Sequence, residues 1–466
     1  MTLLKIINYK IMINKTENIQ RERQIIKLFI IFICLFINVL TSFCQRKKID
    51  NIPLIDISSN VKKMGKISLN QFTGNIRYVP LETNTNSLLS WTYQNFTDFT
   101  DEYILYSDGK ICILFDNGGH FIRQIGSRGR GPGEYTGINN VILKSHKIYI
   151  HDFFSDDIIE YNLDGGFQNR YKSGFTAGRY RLEDAIIIND SMIFGNIENR
   201  TGHEEYKALI INKSGYIINY YKNYIFFNLE KGVPSAKSPG YAIYYKYRNR
   251  IYFKEFLNDT LFLLNKKYQL EPVICFKLGK YKEPLYDRGK SWSQIDLSSY
   301  INLDKIFPIE NYLILACNFN KYFPAKRLTP ETLSLPGTED YTQWYNSKKM
   351  LGIYDQRSGN LVFSEPTSTN NHLFTTGFYN DIDAGPRFFP DMIVNDSTMV
   401  MKIKFDYFVE HMESVDFKSS NPMFPDRKKR LEYFIDSLKK TGFDNPVLMF
   451  VTYRNKKNEK AQFSEL

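Results

Sequence analysis

The chain has 466 residues, a formal net charge of +11, 43% apolar residues and 24% charged residues. That length and apolar content suffice for a large buried core, and they exclude a disordered, collagen-like or coiled-coil chain. Aromatic residues reach 15%, which favours β-structure because flat rings pack well on pleated sheets. The positive charge is spread along the chain and joins no recognisable base-reading module, so we expect no nucleic-acid partner.

The N-terminal segment predicts an export signal. Residues 28–40 are almost all apolar and follow a basic stretch that ends at Lys27. This run of 13 residues is typical of a secretory signal and is shorter than the roughly 20 residues that a membrane-spanning helix needs. We therefore assign residues 1–44 to a signal peptide and residues 45–69 to a leader that precedes the folded part.

Three outcomes at the end of this signal stay open. Ser42 and Cys44 fit the small residues of a signal-peptidase site, which would make Gln45 the new N-terminus. In the second outcome Cys44 is lipidated, although Phe43 departs from the small residue that a lipoprotein signal places before its cysteine. The third outcome is an uncleaved anchor. All three place the folded part outside the cytoplasm, and a lipid on Cys44 is the predicted link to a membrane.

A repeat of two hairpins runs through the chain after the leader. Copies of the first hairpin occupy residues 91–108, 138–152, 182–196, 241–255, 306–318 and 391–403. Copies of the second hairpin occupy residues 111–126, 158–174, 208–221, 261–276 and 350–363. The turns of the second hairpin are rich in Asn, Asp and Gly, which tolerate the left-handed backbone that tight turns require. Their predicted turn residues are Gly119, Gly166, Gly215, Tyr268 and Gly359. Four antiparallel strands in about 50 residues match one blade of a β-propeller.

Six first hairpins and five second hairpins leave one blade two strands short. Residues 74–83 and residues 446–455 are unused strand candidates near the two ends of the chain. Pairing them in the sixth blade closes the ring and leaves no open sheet. The sequence therefore predicts an all-β, six-bladed propeller over residues 70–455, closed by strands from both chain ends, with a C-terminal tail over residues 456–466.

Two insertions interrupt this repeat. Residues 319–347 are predicted as a loop with a short helix, and residues 409–445 contain a longer helix that Asp426 can cap and Gly442 can end. The apolar face of that helix is predicted to consist of Leu431, Phe434, Ile435 and Leu438. We expect this helix to pack on the last blade as a structural element.

Residues 121–136 read FIRQIGSRGRGPGEYT and cross from the first blade to the second. An outer strand F-I-R-x-I-G followed by G-x-G-P-G-E-Y is similar to NHL-like and TolB-like six-bladed propellers. More closely, it resembles a family of exported six-bladed propellers of Gram-negative bacteria, many of them predicted lipoproteins, and IRYVPLETN at residues 77–85 matches that family's opening strand. The resemblance implies a periplasmic or outer-membrane-associated protein, but no reaction, because most members have none assigned.

The glycine-rich crossing also supplies candidate binding residues. It lacks the Gly-Lys-Ser/Thr and the following helix of a phosphate-binding loop. Two interpretations stay open: a tight crossing in which glycine allows close backbone passage, and a site for an anionic or carboxylate group. Similar loops around one mouth would form a basic funnel. The candidate ligand-binding residues are Arg128, Arg130, Tyr135, Arg179 and Arg387.

The sequence assigns no catalytic residue, no metal ligand and no required cofactor. Calcium stays an alternative, because some six-bladed propellers hold Ca²⁺ with oxygen ligands in the channel. The side chains that come near the starts of inner strands are Asn139, Asn140, Asp184 and Asp391. The His151-Asp152 pair follows such a strand and is expected to be a packing element or to line the channel. The three widely spaced cysteines, Cys112, Cys275 and Cys317, are expected to be buried apolar residues rather than disulfide partners.

These features predict a binding module of the cell envelope whose partner is a small molecule, a glycan or an envelope protein. The alternative is a hydrolase or lyase, calcium-assisted, that acts in the central channel. Convergent carboxylates or a charged histidine pair in a deep pocket would favour the enzyme. A shallow face of arginine and aromatic residues would favour binding, and a large apolar patch on a blade edge would favour a scaffold.

Overall fold

The computed structural model describes residues 52–90, 96–172, 182–212, 214–236, 242–291, 300–319, 349–365 and 377–453. The N-terminal stretch contains β1 (Leu54–Asp56), α1 (Ile57–Asn60), β2 (Met64–Gly65) and β3 (Thr73–Pro80). Blade 1 contains β4 (Phe96–Phe99), β5 (Tyr103–Ser107), β6 (Cys112–Asp116) and β7 (Phe121–Gln124). A short parallel pair, β8 (Ser127–Arg128) and β9 (Glu134–Tyr135), lies in the crossing to blade 2.

Blades 2 to 5 repeat the same antiparallel meander. Blade 2 contains β10 (Ile138–Lys144), β11 (Lys147–Asp152), β12 (Ile158–Asn162) and β13 (Phe167–Tyr171). Blade 3 contains β14 (Leu182–Asn189), β15 (Met192–Ile197), β16 (Tyr206–Asn212) and β17 (Ile217–Lys222). Blade 4 contains β18 (Ile243–Tyr247), β19 (Arg250–Lys254), β20 (Thr260–Leu264) and β21 (Leu270–Lys277). Blade 5 contains β22 (Asn302–Ile309), β23 (Tyr312–Asn318), β24 (Lys349–Asp355) and β25 (Leu361–Ser364).

Blade 6 takes its strands from both ends of the chain, as the sequence predicts. Its order is β26 (Met392–Asn395), β27 (Thr398–Ile403), β28 (Val447–Tyr453) and then β3. In the closing pair Leu448 lies opposite Val79, and all strands of the blade are antiparallel. The prediction of six blades closed by the two chain ends is confirmed.

The hydrophobic core is divided among the blade interfaces. The first strands of neighbouring blades contact one another, as β4 does with β10 and β18 does with β22, which places them around the central axis. One cluster of buried side chains fills each of the six junctions between neighbouring blades, counted over the described residues. Ile104 and Phe450, for example, share the cluster that joins blade 1 to blade 6. The stacked apolar faces of the blades therefore hold the ring together.

The leader extends the sheets of two blades, which the sequence does not predict. Strand β1 pairs in parallel with β21, with Leu54 opposite Cys275, and β2 pairs in parallel with β25, with Met64 opposite Phe363. Between them Ile57 is buried in the cluster that joins blades 4 and 5. The leader thus covers two outer edges that would otherwise be open to pairing with another chain.

Helices pack against blade 6, and their bounds correct part of the prediction. They are α2 (Phe405–Glu413), α3 (Val415–Ser419) and α4 (Pro425–Lys440). Helix α4 begins with Pro425 in its first turn, so Asp426 lies inside the helix and is not its cap. Leu431 and Ile435 are buried against blade 6, and Gly442 has a φ of +69° just after the helix, as expected. The insertion predicted at residues 319–347 lies outside the described residues except for its first position.

The remaining short elements and local features complete the fold. Short 3₁₀ helices cover Leu69–Gln71, Gly279–Tyr281 and Leu285–Gly289. In the blade 2 turn the left-handed residue is Gly165, with a φ of +79°, and not Gly166, whose N–H donates to the Asn162 side chain. The three described cysteines, Cys112, Cys275 and Cys317, are free thiols. Among the described helices, none has the length and apolar content to cross a bilayer.

Candidate functional site

Antiparallel blades place two kinds of loop at one end of the propeller. The crossing from an outer strand to the next inner strand lies at the same end as the loop between the second and third strands of each blade. We call this end the crossing face. Arg128, Arg130, Tyr135 and Arg387 all belong to crossings, so the topology places these sequence-predicted residues on one face.

The glycine-rich crossing from blade 1 to blade 2 is held tightly by its neighbours. The Glu134 carboxylate accepts the Gly131 N–H at 2.7 Å, and the Arg170 guanidinium donates to the carbonyls of Pro132 and Glu134. A Cβ at Gly126 would lie 2.6 Å from the Tyr161 hydroxyl, so only glycine fits there. These contacts favour the interpretation of the glycines as a close crossing.

The structure separates the three candidates of this loop. Arg128 and Arg130 are exposed, whereas Tyr135 is fully buried in the cluster between blades 1 and 2. Tyr135 therefore belongs to the core, since its ring is covered on all sides. Arg128 lines an open cleft of about 250 Å³ at the junction of blades 1 and 2, and Arg130 does not. The cleft is lined by Gly109, Lys110, Arg128, Thr136, Gly137, Ile138, Phe153 and Phe154.

The other predicted arginines are not part of this cleft. Arg387 lies in the crossing from blade 5 to blade 6, where it donates to the Glu365 carbonyl at 3.3 Å and stands over the Tyr379 ring. Burial lowers the pKa of Arg387. Arg179 and Cys44 lie outside the described residues. In the described part of the chain, the arginines of the predicted basic funnel thus lie in two separate crossings, Arg128 and Arg130 in one and Arg387 in the other.

His151 and Asp152 act as structural side chains. His151 is 1% exposed, with Nδ1 3.1 Å from the Asn139 amide and Nε2 3.7 Å from the Asp156 carboxylate. The Asp152 carboxylate accepts the Thr136 N–H at 2.6 Å and two N–H groups of the loop that follows it. Asp152, the last residue of β11, therefore links the crossing from blade 1 to the second strand of blade 2.

A β-bulge recurs where the inner strands begin. The pairing register shifts between Ile138 and Asn140, between Leu182 and Asp184, and between Leu303 and Lys305. The extra residues of these three bulges are Asn139, Glu183 and Asp304. A bulge turns one side chain out of the regular alternation of a strand and is frequent beside functional sites.

Four lysines and two aspartates gather near the axis at the crossing-face end of blades 4 to 6. We call them the inner lysine cluster, which consists of Lys254, Asp304, Lys305, Lys349, Asp391 and Lys402. The Lys305 ammonium donates to the Asp391 carbonyl at 2.7 Å and lies 3.9 Å from its carboxylate. The Lys254 ammonium donates to the carbonyls of Glu255 and Phe256 at 3.3 Å each. The six named groups carry a formal charge of +2, and the Asp259 and Glu255 carboxylates also act on the Lys254 ammonium.

The protein surroundings change the proton affinities of this cluster. Burial lowers the pKa of Lys254 to about 8, and burial together with neighbouring lysines lowers the pKa of Lys305 to about 8. Burial raises the pKa of Asp304 to about 6, against the opposing effect of Lys349, Lys305 and Lys254. The Lys305 side chain is nevertheless 46% exposed, so solvent reaches it. No sequence motif marks this cluster, because its members are spread over about 150 residues.

A second cleft, between blades 3 and 4, carries charges that are already paired. Its volume is about 40 Å³, and Lys207 and Glu255 stand 4.0 Å apart in its wall. Arg288, also in the wall, pairs with Glu283 at 3.6 Å. This cleft offers no net charge to a ligand and is less suited to an ionic partner than the inner lysine cluster.

The side chains considered for calcium have other partners. Asn139 contacts His151, the Asn140 side chain accepts the Val141 N–H, and the Asp391 carboxylate accepts the Lys402 N–H at 2.7 Å. The Asp184 side chain is outside the described part of the chain. Over the described ranges, no group of three or more His, Cys, Asp or Glu side chains is arranged to hold a metal ion.

With the fold established, comparison with known proteins identifies the family. The chain belongs to the family described as a domain of unknown function, DUF4934, whose model matches residues 52–452. No curated protein matches the chain. A presumed exported protein from Bacteroides fragilis is 14% identical with a TM-score of 0.57, and the match covers 86% of this chain and all of that one. A DUF4221 family member from Bacteroides vulgatus is 12% identical with a TM-score of 0.47, over 82% of this chain and 97% of that one. At these identities the first likeness supports the fold, and a propeller fold of this kind fits a binding module.

Proposed function

We propose that the protein is an exported binding module that holds an anionic small molecule, a carboxylate or a phosphate, at the inner lysine cluster. The observation that carries this proposal is the meeting of four lysines from three blades around two aspartates near the axis. Export is supported by the apolar segment at residues 28–40 and by the likeness to a presumed exported protein. A periplasmic or outer-membrane location and a lipid on Cys44 are further parts of this proposal.

Electrostatics favour an anion at this position. A buried ammonium group has lost part of its hydration, so an oxyanion that replaces the missing water is bound more strongly than at the surface. The Lys305 side chain is 46% exposed, which lets a ligand reach it. Because the anion stabilises the charged ammonium, binding should weaken as pH rises above about 8, where Lys254 and Lys305 lose their protons.

The test is a titration of the full chain with citrate and with inorganic phosphate at constant ionic strength, followed by calorimetry and by thermal melting. A ligand that binds the native state adds about 2.7 kcal/mol to the free energy of unfolding at one hundred times its Kd, and it therefore raises the melting temperature. Binding of citrate but not of phosphate would indicate a carboxylate ligand, and binding of phosphate but not of citrate would indicate a phosphate ligand.

Lys305→Met is the informative variant, and Lys267→Met is its control because Lys267 is exposed in a turn at the opposite end of blade 4. We expect Lys305→Met to weaken binding at least tenfold and Lys267→Met to leave it unchanged. The proposal is wrong if neither anion binds, or if the two variants bind equally well.

A second candidate site is the cleft at blades 1 and 2. There Arg128 and Lys110 stand beside the edge-to-face pair of Phe153 and Phe154, whose ring centroids are 5.1 Å apart. This combination suits a ligand with one anionic and one apolar part, such as an acidic glycan or an aromatic acid. Arg128→Ala should abolish such binding, and Arg130→Ala is the matched control because Arg130 is exposed in the same loop outside the cleft. Equal binding by both variants would remove the cleft from consideration.

We do not propose catalysis. His151 lies 3.7 Å from the Asp156 carboxylate, but it is 1% exposed and therefore out of reach of a substrate. The enzyme alternative would use Lys254 or Lys305 as a base or nucleophile, because a pKa of about 8 leaves part of each lysine unprotonated near neutral pH, whereas a binding role needs no such step.

A further inference from the structure

The cleft between blades 3 and 4 contains two buried groups of opposite charge that do not touch. The Lys207 side chain is 8% exposed, and its ammonium lies 4.0 Å from the Glu255 carboxylate, which is beyond hydrogen-bond distance. Lys207 belongs to β16 of blade 3, and Glu255 directly follows β19 of blade 4. The two charges therefore attract each other across the cleft without forming a hydrogen bond.

The wall of this cleft also has unused hydrogen-bond acceptors. The Oε2 atom of Glu255 and the Oδ1 atom of Asn199 are buried, and neither accepts a hydrogen bond from the described residues. The Asn199 amide is held in place, because it donates to the Ile225 carbonyl at 2.8 Å. The Lys207 ammonium stands 4.6 Å from the centre of the Phe262 ring, which attracts its charge. Buried polar groups without partners cost free energy, so this wall is suited to a ligand that supplies those partners.

The charge pattern of the cleft favours a ligand that carries both signs. A purely anionic ligand would meet the Glu255 carboxylate, and a purely cationic ligand would meet the Lys207 ammonium. A zwitterion avoids both conflicts, because each of its charges faces an opposite one. The other charged side chains of the wall are already paired, Arg288 with Glu283 and Glu198 with Arg200, each at 3.6 Å.

We infer that this cleft binds the zwitterionic head group of an α-amino acid with an apolar side chain. The Lys207 ammonium donates to the ligand carboxylate, and the ligand ammonium donates to Glu255 Oε2 and Asn199 Oδ1. Charge-assisted hydrogen bonds of this kind are about 2.7–2.9 Å long. An amino acid carries its ammonium and carboxylate on one carbon, so the two groups can lie side by side against opposite charges that are 4.0 Å apart.

The size of the cleft determines which part of the ligand it holds. Its volume is about 40 Å³, which gives room for roughly three water-sized groups of about 10–15 Å³ each. This space suits an ammonium, a carboxylate and the carbon that joins them, and it is too small for a large side chain. The ligand side chain then lies at the open side of the cleft, where Phe256 and Leu257 are partly exposed. Contact with these two residues favours an apolar amino acid.

Isothermal titration calorimetry of the full chain with L-leucine tests this site, and two analogues that each lack one charge are the controls. N-acetyl-L-leucine has no ammonium, and L-leucinamide has no carboxylate. We expect L-leucine to bind and each analogue to bind at least tenfold more weakly, since each leaves one buried charge of the cleft without a partner. The inference is wrong if L-leucine does not bind at millimolar concentration, or if either analogue binds as well as L-leucine.

Two variants locate the binding in this cleft. Lys207→Met removes the charge and keeps most of the side chain, and Lys222→Met is its control because Lys222 is exposed on the outer strand of the same blade. The double variant Lys207→Met/Glu255→Gln removes both charges, so it leaves no buried charge alone if the single variant folds poorly. We expect both Lys207 variants to lose at least tenfold in affinity for L-leucine and Lys222→Met to lose none. Unchanged affinity in the double variant, or equal affinity in the two single variants, would place the amino acid elsewhere and overturn the inference.

Discussion

Asp98 is a buried carboxyl group that links two blades. Its Oδ2 accepts the Leu143 N–H at 2.6 Å, and this bond joins the inner strand of blade 1 to that of blade 2. Burial raises the pKa of Asp98 to about 6, although the N–H donors of Leu143 and Phe99 oppose that change. The neutral acid is therefore more stable here than in the unfolded chain, where the pKa is near 3.8.

This pKa difference predicts a loss of stability as the pH rises. The folded chain binds the Asp98 proton more tightly than the unfolded chain, so the contribution is complete below about pH 4 and is lost as pH rises through 6. Asp98→Asn keeps an acceptor for Leu143 and carries no charge. The free energy of unfolding of Asp98→Asn minus that of the unmodified chain should therefore increase between pH 4 and 7, by an amount on the order of 2 kcal/mol.

Urea denaturation of both chains across this pH range measures the effect. Asp164→Asn is the control, since that carboxylate is 85% exposed. A difference between Asp98→Asn and the unmodified chain that stays constant from pH 4 to 7 would contradict the assignment.

At the level of single residues, only part of the candidate site could be predicted from the sequence. Arg128 could be found because a glycine-rich motif surrounds it, and it does line a cleft. Tyr135 belongs to the same motif, but its ring is buried in the core, because a motif does not show which face of a short strand points inward. Lys305 and Asp391 are 86 residues apart and meet only when blades 5 and 6 are adjacent, so no local pattern indicates them.

At the scale of elements, hairpins could be predicted and the leader strands could not. Each hairpin carries its own apolar alternation and turn residues, so the signal is local. Strands β1 and β2 have three and two residues, and their parallel partners lie more than 200 residues away. Such short pairs are stabilised by the edge that receives them and not by their own sequence.

Two turn glycines at equivalent places test how the blades fit together. Gly119 in blade 1 and Gly359 in blade 5 both have left-handed backbone, with φ of +87° and +72°. A Cβ at Gly119 would lie 2.1 Å from the Pro80 carbonyl of the closing strand β3, whereas nothing lies within 4 Å of a Cβ at Gly359. The turn of blade 1 therefore packs against the N-terminal strand of blade 6.

We expect Gly119→Ala to be far more destabilising than Gly359→Ala. The second change meets only the backbone strain of a left-handed alanine, roughly 1–2 kcal/mol. The first adds a collision with backbone that cannot move without opening the contact in which Glu82 N–H donates to the Gly119 carbonyl at 2.8 Å. Thermal melts of the two variants should differ by several degrees, and equal melting temperatures would show that the closing strand moves freely.

At the scale of the whole molecule, ring closure depends on contacts between chain ends. Blade 6 joins β3 near the N-terminus to β28 near the C-terminus, and the buried side chains of this blade connect blade 5 to blade 1. This closure is non-covalent, since it consists of the pairing of β3 with β28, and the three cysteines in the described part of the chain are free thiols. Side chains that tie the two ends together should therefore affect the stability of all six blades.

Asn445 is such a side chain, and it supplies the sharpest test of closure. It is fully buried, its amide donates to the carbonyls of Glu82 and Ser87 at 2.7 Å each, and its carbonyl accepts the Leu89 N–H at 2.9 Å. Asn445→Ala removes the partner of the buried Leu89 N–H and Ser87 carbonyl, whereas the Glu82 carbonyl keeps its bond from the Ser87 hydroxyl. At about 1–3 kcal/mol for each of the two groups, the loss should be at least about 2 kcal/mol. Asn117→Ala, at an exposed turn, should lose less than about 1 kcal/mol. Because the bonds of Asn445 close the ring, urea denaturation should show this loss as a shift of one cooperative transition, and a separate early transition for blade 6 would mean that the ring opens without unfolding the other blades.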